Sequence, residues 1–179
     1  MAFITIPDKN DTGAHHLVTG SDDRLNVTSR IGTREYYNNR DKQNLYSFLS
    51  RYSCSAGDYV IYIKNTHAAG VLHISNMKLG SEVNQEFLIH KVTGTAGGNN
   101  IIPRSRNYAE TNSCAGVFKG DAVVTGLTST WSSESEMTTP FKSELWHNSG
   151  GIILNDGEAM AIQALKAGNI SITILGYCE

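Results

Sequence analysis

Apolar and polar positions alternate in short bursts along most of this chain, and the bursts are separated by turn-forming residues. Tyr59-Val60-Ile61-Tyr62-Ile63-Lys64 is the clearest run, bounded by Ala56-Gly57-Asp58 and by Asn65-Thr66. The stretch from Val71 to Leu79 places Val71, His73, Ser75, Met77 and Leu79 on one face and Leu72, Ile74, Asn76 and Lys78 on the other. After a Gly80-Ser81 turn, Glu86 to Val92 sets Phe87, Ile89 and Lys91 against Leu88, His90 and Val92. Asp121 to Leu127 is a further strand-like piece. Short lengths, β-branched side chains and a period of two favour strand over helix in each.

The C-terminal block carries the densest signal. Gly150-Gly151-Ile152-Ile153-Leu154 is followed by Asn155-Asp156-Gly157, then by Glu158 to Ala164, Lys166 to Asn169, and Ile170 to Tyr177. Asn-Asp-Gly supplies the positive-φ positions that a tight turn needs. Ile170, Ile172 and Ile174 alternate with Ser171, Thr173 and Leu175, as in a half-buried strand. Glu, Ala, Met and Gln in 158–164 have helical propensity, but the flanking turns and short length favour strand. The block predicts a meander whose last strand closes a sheet.

The N-terminal part reads differently. Residues 1–43 hold six acidic and six basic side chains among many polar ones, too little apolar surface for a core of its own. Residues 1–30 are expected to form an extended arm, ordered by a neighbouring subunit or simply frayed, with residues 31–179 as one β-sandwich domain. Leu45, Phe48, Leu49 and Tyr52 have helical spacing, so Arg40 to Tyr52 is the one place where a helix competes with a strand. Gly94 to Asn100 and Thr128 to Thr139 read as loops, the second built around Trp131. The expected fold is all-β: an antiparallel two-sheet sandwich, jelly-roll-like, with an extended N-terminal arm.

Composition narrows the function. Of 179 residues, 40% are hydrophobic and 18% charged, with 15 Lys+Arg against 17 Asp+Glu for a net charge of −2. That balance lacks the basic excess by which nucleic-acid binders neutralise phosphates. The N-terminus has no basic segment before its short apolar run, and no stretch approaches the length of a membrane-spanning helix. Neither an export signal nor a membrane partner is expected, so Asn10-Asp-Thr12, Asn26-Val-Thr28 and Asn169-Ile-Ser171 read as chance glycosylation triplets. Cys54, Cys114 and Cys178 are odd in number and far apart. They read as buried or half-buried thiols in a reducing cytoplasm rather than as a disulfide framework.

Candidate chemistry is sparse. The six histidines, His15, His16, His67, His73, His90 and His147, have no metal-ligand spacing. His73 and His90, on neighbouring expected strands, would face each other, and the plainer reading is two half-buried strand residues. Gly94-x-x-Gly97-Gly98 lacks the Lys-Ser/Thr of a phosphate loop. No Gly-x-Ser-x-Gly nucleophile elbow occurs. Glu134 and Glu136 have the spacing of a carboxylate pair for a glycosidase or a calcium site, against the plainer reading of a solvated loop face. Arg104 and Arg106 beside Tyr108 make a small basic and aromatic patch. No catalytic residue, cofactor or metal is assigned; the residues singled out as ligand or interface contacts are Tyr108, Trp131 and Trp146.

The block from Gly150 to Ala164, ending in Ile-Ser-Ile-Thr-Ile-Leu-Gly-Tyr at 170–177, resembles the C-terminal end of small β-sandwich virion proteins of tailed bacteriophages. Tyr59-Val-Ile-Tyr-Ile-Lys and Val-Thr-Gly-Leu at 124–127 agree with it. Tumour-necrosis-factor-like trimers have similar strand endings. The resemblance implies a non-enzymatic virion protein made in the host cytoplasm, of the capsid decoration, cement or minor head or tail type. It would act as a homo-oligomer such as a trimer and touch other virion proteins such as the major capsid protein. The alternative on the same scaffold is a receptor- or carbohydrate-binding appendage, with Trp131, Trp146 and Tyr108 as its aromatic platform.

Overall fold

A computed structural model describes residues 6–7, 15–16, 45–106, 114–141 and 143–178; residues 6, 7, 15, 16, 133, 134, 136 and 143–150 enter by their backbone alone. The chain divides into two units, Met1–Gly32 and Thr33–Glu179. In the first, β1 (Ile6–Pro7) pairs antiparallel with β2 (His15–His16). The rest of the expected arm over residues 1–30 lies outside the described residues.

The second unit is all strand among its described residues. Its elements are β3 (Leu45–Cys54), β4 (Tyr59–Asn65), β5 (Leu72–Ser81), β6 (Gln85–Gly97), β7 (Arg104–Ser105), β8 (Gly116–Lys119), β9 (Thr125–Thr138), β10 (Ser143–Leu154), β11 (Ala159–Ala164) and β12 (Gly168–Cys178). They form two antiparallel five-stranded sheets, ordered β10-β5-β12-β3-β7 and β8-β4-β11-β6-β9. The runs β3-β4-β5-β6 and β9-β10-β11-β12 each switch sheet at every step. With the short β7 and β8 set aside at the edges, this is the eight-strand, double Greek-key arrangement of a jelly roll. The expected antiparallel sandwich is therefore the observed fold. Among the described residues no helix is long and apolar enough to cross a membrane.

The core lies between the sheets. Phe48, Leu72, Ile74, Met77, Leu79, Ile172 and Ile174 from the first sheet are fully buried, as are Ile61, Ile63, Phe87, Ile89 and Ile162 from the second. Phe48 packs on Phe118 with ring centroids 4.9 Å apart. A second, smaller cluster of Tyr62, Val92, Val124, Ala159 and Ala161 contains alternate residues of the second sheet's strands. Both parities of β11 are thus apolar and buried, which is why its sequence lacks a clean alternation.

Four expectations are corrected. Residues 45–52 belong to a strand: Phe48, Ser50 and Cys54 are buried while Leu49 is exposed, and β3 pairs with β12 over its whole length. The helical spacing of 45, 48, 49 and 52 is accidental, because a strand buried on both faces at one end does not keep a strict period. The C-terminal block is not a meander. β10, β11 and β12 alternate between sheets, and β12 lies between β5 and β3. Its inward Ile170, Ile172 and Ile174 are covered best at a central position. Residues 125–138 form the long edge strand β9 rather than a loop, and β6 continues through Gly94 to Gly97. Finally, His73 and His90 do not face each other, since β5 and β6 belong to different sheets.

Two tight turns make the crossings between sheets and lock the central pair β4–β11. In Ser55-Ala56-Gly57-Asp58, the Ser55 N–H donates to the Asp58 carboxylate at 2.8 Å. In Asn155-Asp156-Gly157-Glu158, the Asn155 N–H donates to the Glu158 carboxylate at 3.0 Å. Gly57 and Gly157 have φ of 87° and 77°, the left-handed region open to glycine. Each turn then grips the far end of the other's strand: Gly57 N–H donates to Ala164 C=O at 2.8 Å, and Gly157 N–H to Asn65 C=O at 3.0 Å.

Candidate functional site

The two sheets end on one side in the edge strands β9 and β10, and a groove of about 340 Å3 lies there. It is lined by Lys91 of β6, Trp131 of β9, Ile152 and Ile153 of β10, Glu158 from the Asn-Asp-Gly turn, and Met160 of β11. Strand register assembles it: Lys91 stands opposite Trp131 on one side and opposite Met160 on the other. Trp131 is 62% exposed and Ile153 50% exposed. A strand that places a tryptophan in solvent beside an exposed isoleucine offers apolar contact area that the monomer leaves uncovered.

Charge in the groove is balanced. Lys91 Nζ lies 2.6 Å from Glu158 Oε1, and Glu158 Oε2 accepts from the N–H and the side-chain amide of Asn155. The Lys91 contact, then the Asn155 N–H, holds the Glu158 carboxyl down at about 2. An ionised carboxylate committed to these donors is a hydrogen-bond acceptor rather than a proton donor near neutral pH. The pair is solvent-screened and contributes little to stability.

A polar network lies close by. His90 is buried, with Nδ1 2.9 Å from Ser129 Oγ and Nε2 3.2 Å from Gln163 Oε1. The Gln163 amide nitrogen donates to Gly57 C=O at 2.8 Å, which leaves its Oε1 to accept. The neutral ring therefore carries its proton on Nε2 and accepts from Ser129 at Nδ1. Tyr59 stands edge-on at 5.5 Å. Burial lowers the His90 pKa from its ordinary 6.5. The folded state resists protonation that the unfolded state accepts, so this contribution to stability is present above pH 6.5 and is lost as pH falls through the folded value. The melting temperature is expected to fall between pH 7 and pH 5, and to fall less in His90→Gln; identical slopes in the two proteins would refute this role.

Trp131 lies in the groove. Trp146 lies on the same edge strand as Ile152 and Ile153, its backbone opposite Met77. Tyr108 lies outside the described residues. Glu134 and Glu136 are strand positions opposite Ile89 and Phe87, not loop positions. Arg104 lies on β7, and the Arg106 N–H donates to Leu45 C=O at 2.9 Å. His73 stacks on Tyr177 at 4.7 Å. Among the described residues, no cluster of three or more His, Cys, Asp or Glu side chains is placed to hold a metal. Cys54 and Cys114 are buried and Cys178 is half-buried. Cys54 donates to Gly168 C=O at 3.3 Å.

Lys91, Glu158 and Ile153 escaped sequence reasoning. The Asn-Asp-Gly-Glu turn is legible, but the partner of its carboxylate is 67 residues away, and no local pattern announces the pairing. Comparisons of the chain with protein-family models, with curated proteins and with solved structures give no match.

Proposed function

We propose that this chain is a non-enzymatic virion structural protein of a tailed bacteriophage, of the capsid decoration, cement or minor head or tail type. It works by assembling with copies of itself and by contact with other virion proteins such as the major capsid protein. The observation that carries this reading is the exposed Trp131–Ile153 rim on the open side of a jelly roll. Tryptophan is over-represented among residues that dominate association energy, and low charge density suits the centre of an interface. The resemblance of residues 150–177 to virion proteins supports the same reading, whereas the fold alone is shared by capsid proteins and lectins and does not choose.

Light scattering after size exclusion at micromolar concentration should give a homo-oligomer. Trp131→Ser should lower the mass toward the protomer while the circular dichroism spectrum stays unchanged. A protein that is monomeric at every concentration and that fails to bind phage particles would overturn the proposal.

One observation favours a second reading. An exposed indole beside the Lys91–Glu158 pair combines an apolar platform with a donor and an acceptor, the pattern used to hold a sugar ring. Under that reading, Trp131→Ser abolishes glycan binding and leaves the oligomer intact.

A further inference from the structure

Cys114 and Cys178 are 64 residues apart in sequence, yet their sulfur atoms lie 2.7 Å apart. Cys178 is the last residue of β12, opposite Leu72 in the first sheet. Cys114 stands two residues before β8, which belongs to the second sheet. The segment is anchored next to the thiol, where Thr66 N–H donates to Ala115 C=O at 3.4 Å. Cys114 is 8% exposed and belongs to the main core, while Cys178 is half-buried at its rim. Buried Tyr46 adjoins both thiols, and burial together with them pushes its hydroxyl up to about 12. The two sulfurs are thus held together by opposite sheets, one within reach of solvent and the other shielded.

We propose that Cys114 and Cys178 form a reversible disulfide that staples the two sheets of the sandwich at the C-terminal end of β12. The reaction runs by thiol–disulfide exchange with a small disulfide such as glutathione disulfide. The Cys178 thiolate attacks one glutathione sulfur and expels the other as a thiolate, leaving a mixed disulfide. Cys114 then gives up its proton and attacks the Cys178 sulfur, expelling the second glutathione. Two protein thiols are oxidised to one disulfide, one glutathione disulfide is reduced to two thiols, and the two protons leave with them. The roles follow from the environment. Cys178 is half-buried and open to a small disulfide, whereas Cys114 is buried in the core. The more exposed sulfur is thereby the nucleophile and the buried one the resolving group. Cys54 stays out of the reaction: it is buried against backbone carbonyls, and burial raises its pKa.

The test is to incubate the folded, reduced protein with glutathione disulfide, quench with acid, and count thiols after unfolding. Three thiols are expected to fall to one, with the intact mass lower by two hydrogens and a single cross-linked peptide joining Cys114 to Cys178. Closing a loop of this length should raise the melting temperature by roughly 10 °C, reversibly on reduction. Cys54→Ser should oxidise like the parent; Cys114→Ser and Cys178→Ser should stop at a mixed disulfide or not react. Three thiols persisting in a protein that retains its native circular dichroism would overturn the proposal. So would a cross-link that includes Cys54 or joins two chains. The peptide map of the parent protein decides the matter even if a serine variant fails to fold.

Discussion

Asn65→Ala is expected to lower the free energy of unfolding by about 3–4 kcal/mol, because it strands two buried carbonyls and a part-buried N–H at once. Asn65 ends β4 and is 1% exposed. Its side-chain amide donates to Gly70 C=O and to Leu154 C=O, both at 2.9 Å, and its Oδ1 accepts the His67 N–H at 2.9 Å. Its backbone takes part in the turn lock, donating to Glu158 C=O at 3.1 Å and accepting from Gly157. One residue therefore joins the 66–70 connection, the end of β10 and the β4–β11 pair. Alanine removes the donors to both carbonyls and the acceptor of the His67 N–H. Urea denaturation followed by tryptophan fluorescence measures the change: the midpoint should drop while the slope is unchanged. Asn65→Asp should cost at least as much, since it keeps the acceptor, loses both donors and buries a charge. A loss below about 1 kcal/mol in both variants would show that the neighbouring backbone finds other partners.

Gly94→Val is expected to cost about 3 kcal/mol or more, through backbone strain and steric overlap together. Gly94 has φ of 110° and lies opposite Leu127, at an irregularity in the β6–β9 ladder. A Cβ built there would collide with the Gly126 carbonyl oxygen, and a Cβ on Gly126, whose φ is 74°, would collide with the Thr95 carbonyl oxygen. The two glycines allow the strands to bend at close approach, which brings Ala96, Leu127 and Val124 onto the apolar cluster around Tyr62 and Val92. Rigid backbone oxygens cannot swing aside as a flexible side chain does. Thermal melting should show the loss, and hydrogen exchange should localise it to residues 92–97 and 124–129. Gly57→Val has open space around its Cβ, so it isolates the cost of positive φ, about 1–2 kcal/mol. Equal losses at the two glycines would mean that the collision at Gly94 is relieved.

Strand β4 shows how local information suffices. Tyr59 to Asn65 is apolar, β-branched and bracketed by two turns, and it folds as that pattern predicts. The same holds for β11 and β12, and for the glycine turns at 57 and 157, because period, propensity and turn chemistry are properties of neighbouring residues. Strand β9 was obscured by composition. Its Ser, Thr and Glu residues suit an edge strand with one solvated side as well as they suit a loop. The helical spacing in β3 misled for a related reason: Leu45 is buried although it lies on the opposite face from the inward Tyr46, Phe48, Ser50 and Cys54, so the burial pattern breaks period two.

The all-β class, most strand positions and the sharp turns were settled along the chain itself, since each depends on a few adjacent side chains. Which strands share a sheet, and therefore that β12 is central and that His73 and His90 belong to separate layers, was settled by burial in three dimensions. Alternation marks a buried face without naming the strand that covers it. The groove follows the same division. Trp131 was visible as an isolated aromatic in a polar stretch, but its exposure, its partners Lys91 and Glu158, and the meeting of Cys114 with Cys178 arise where edges and ends of two sheets converge. Those contacts join residues dozens of positions apart, and hydrophobic packing of the whole sandwich, rather than any local preference, holds them in place.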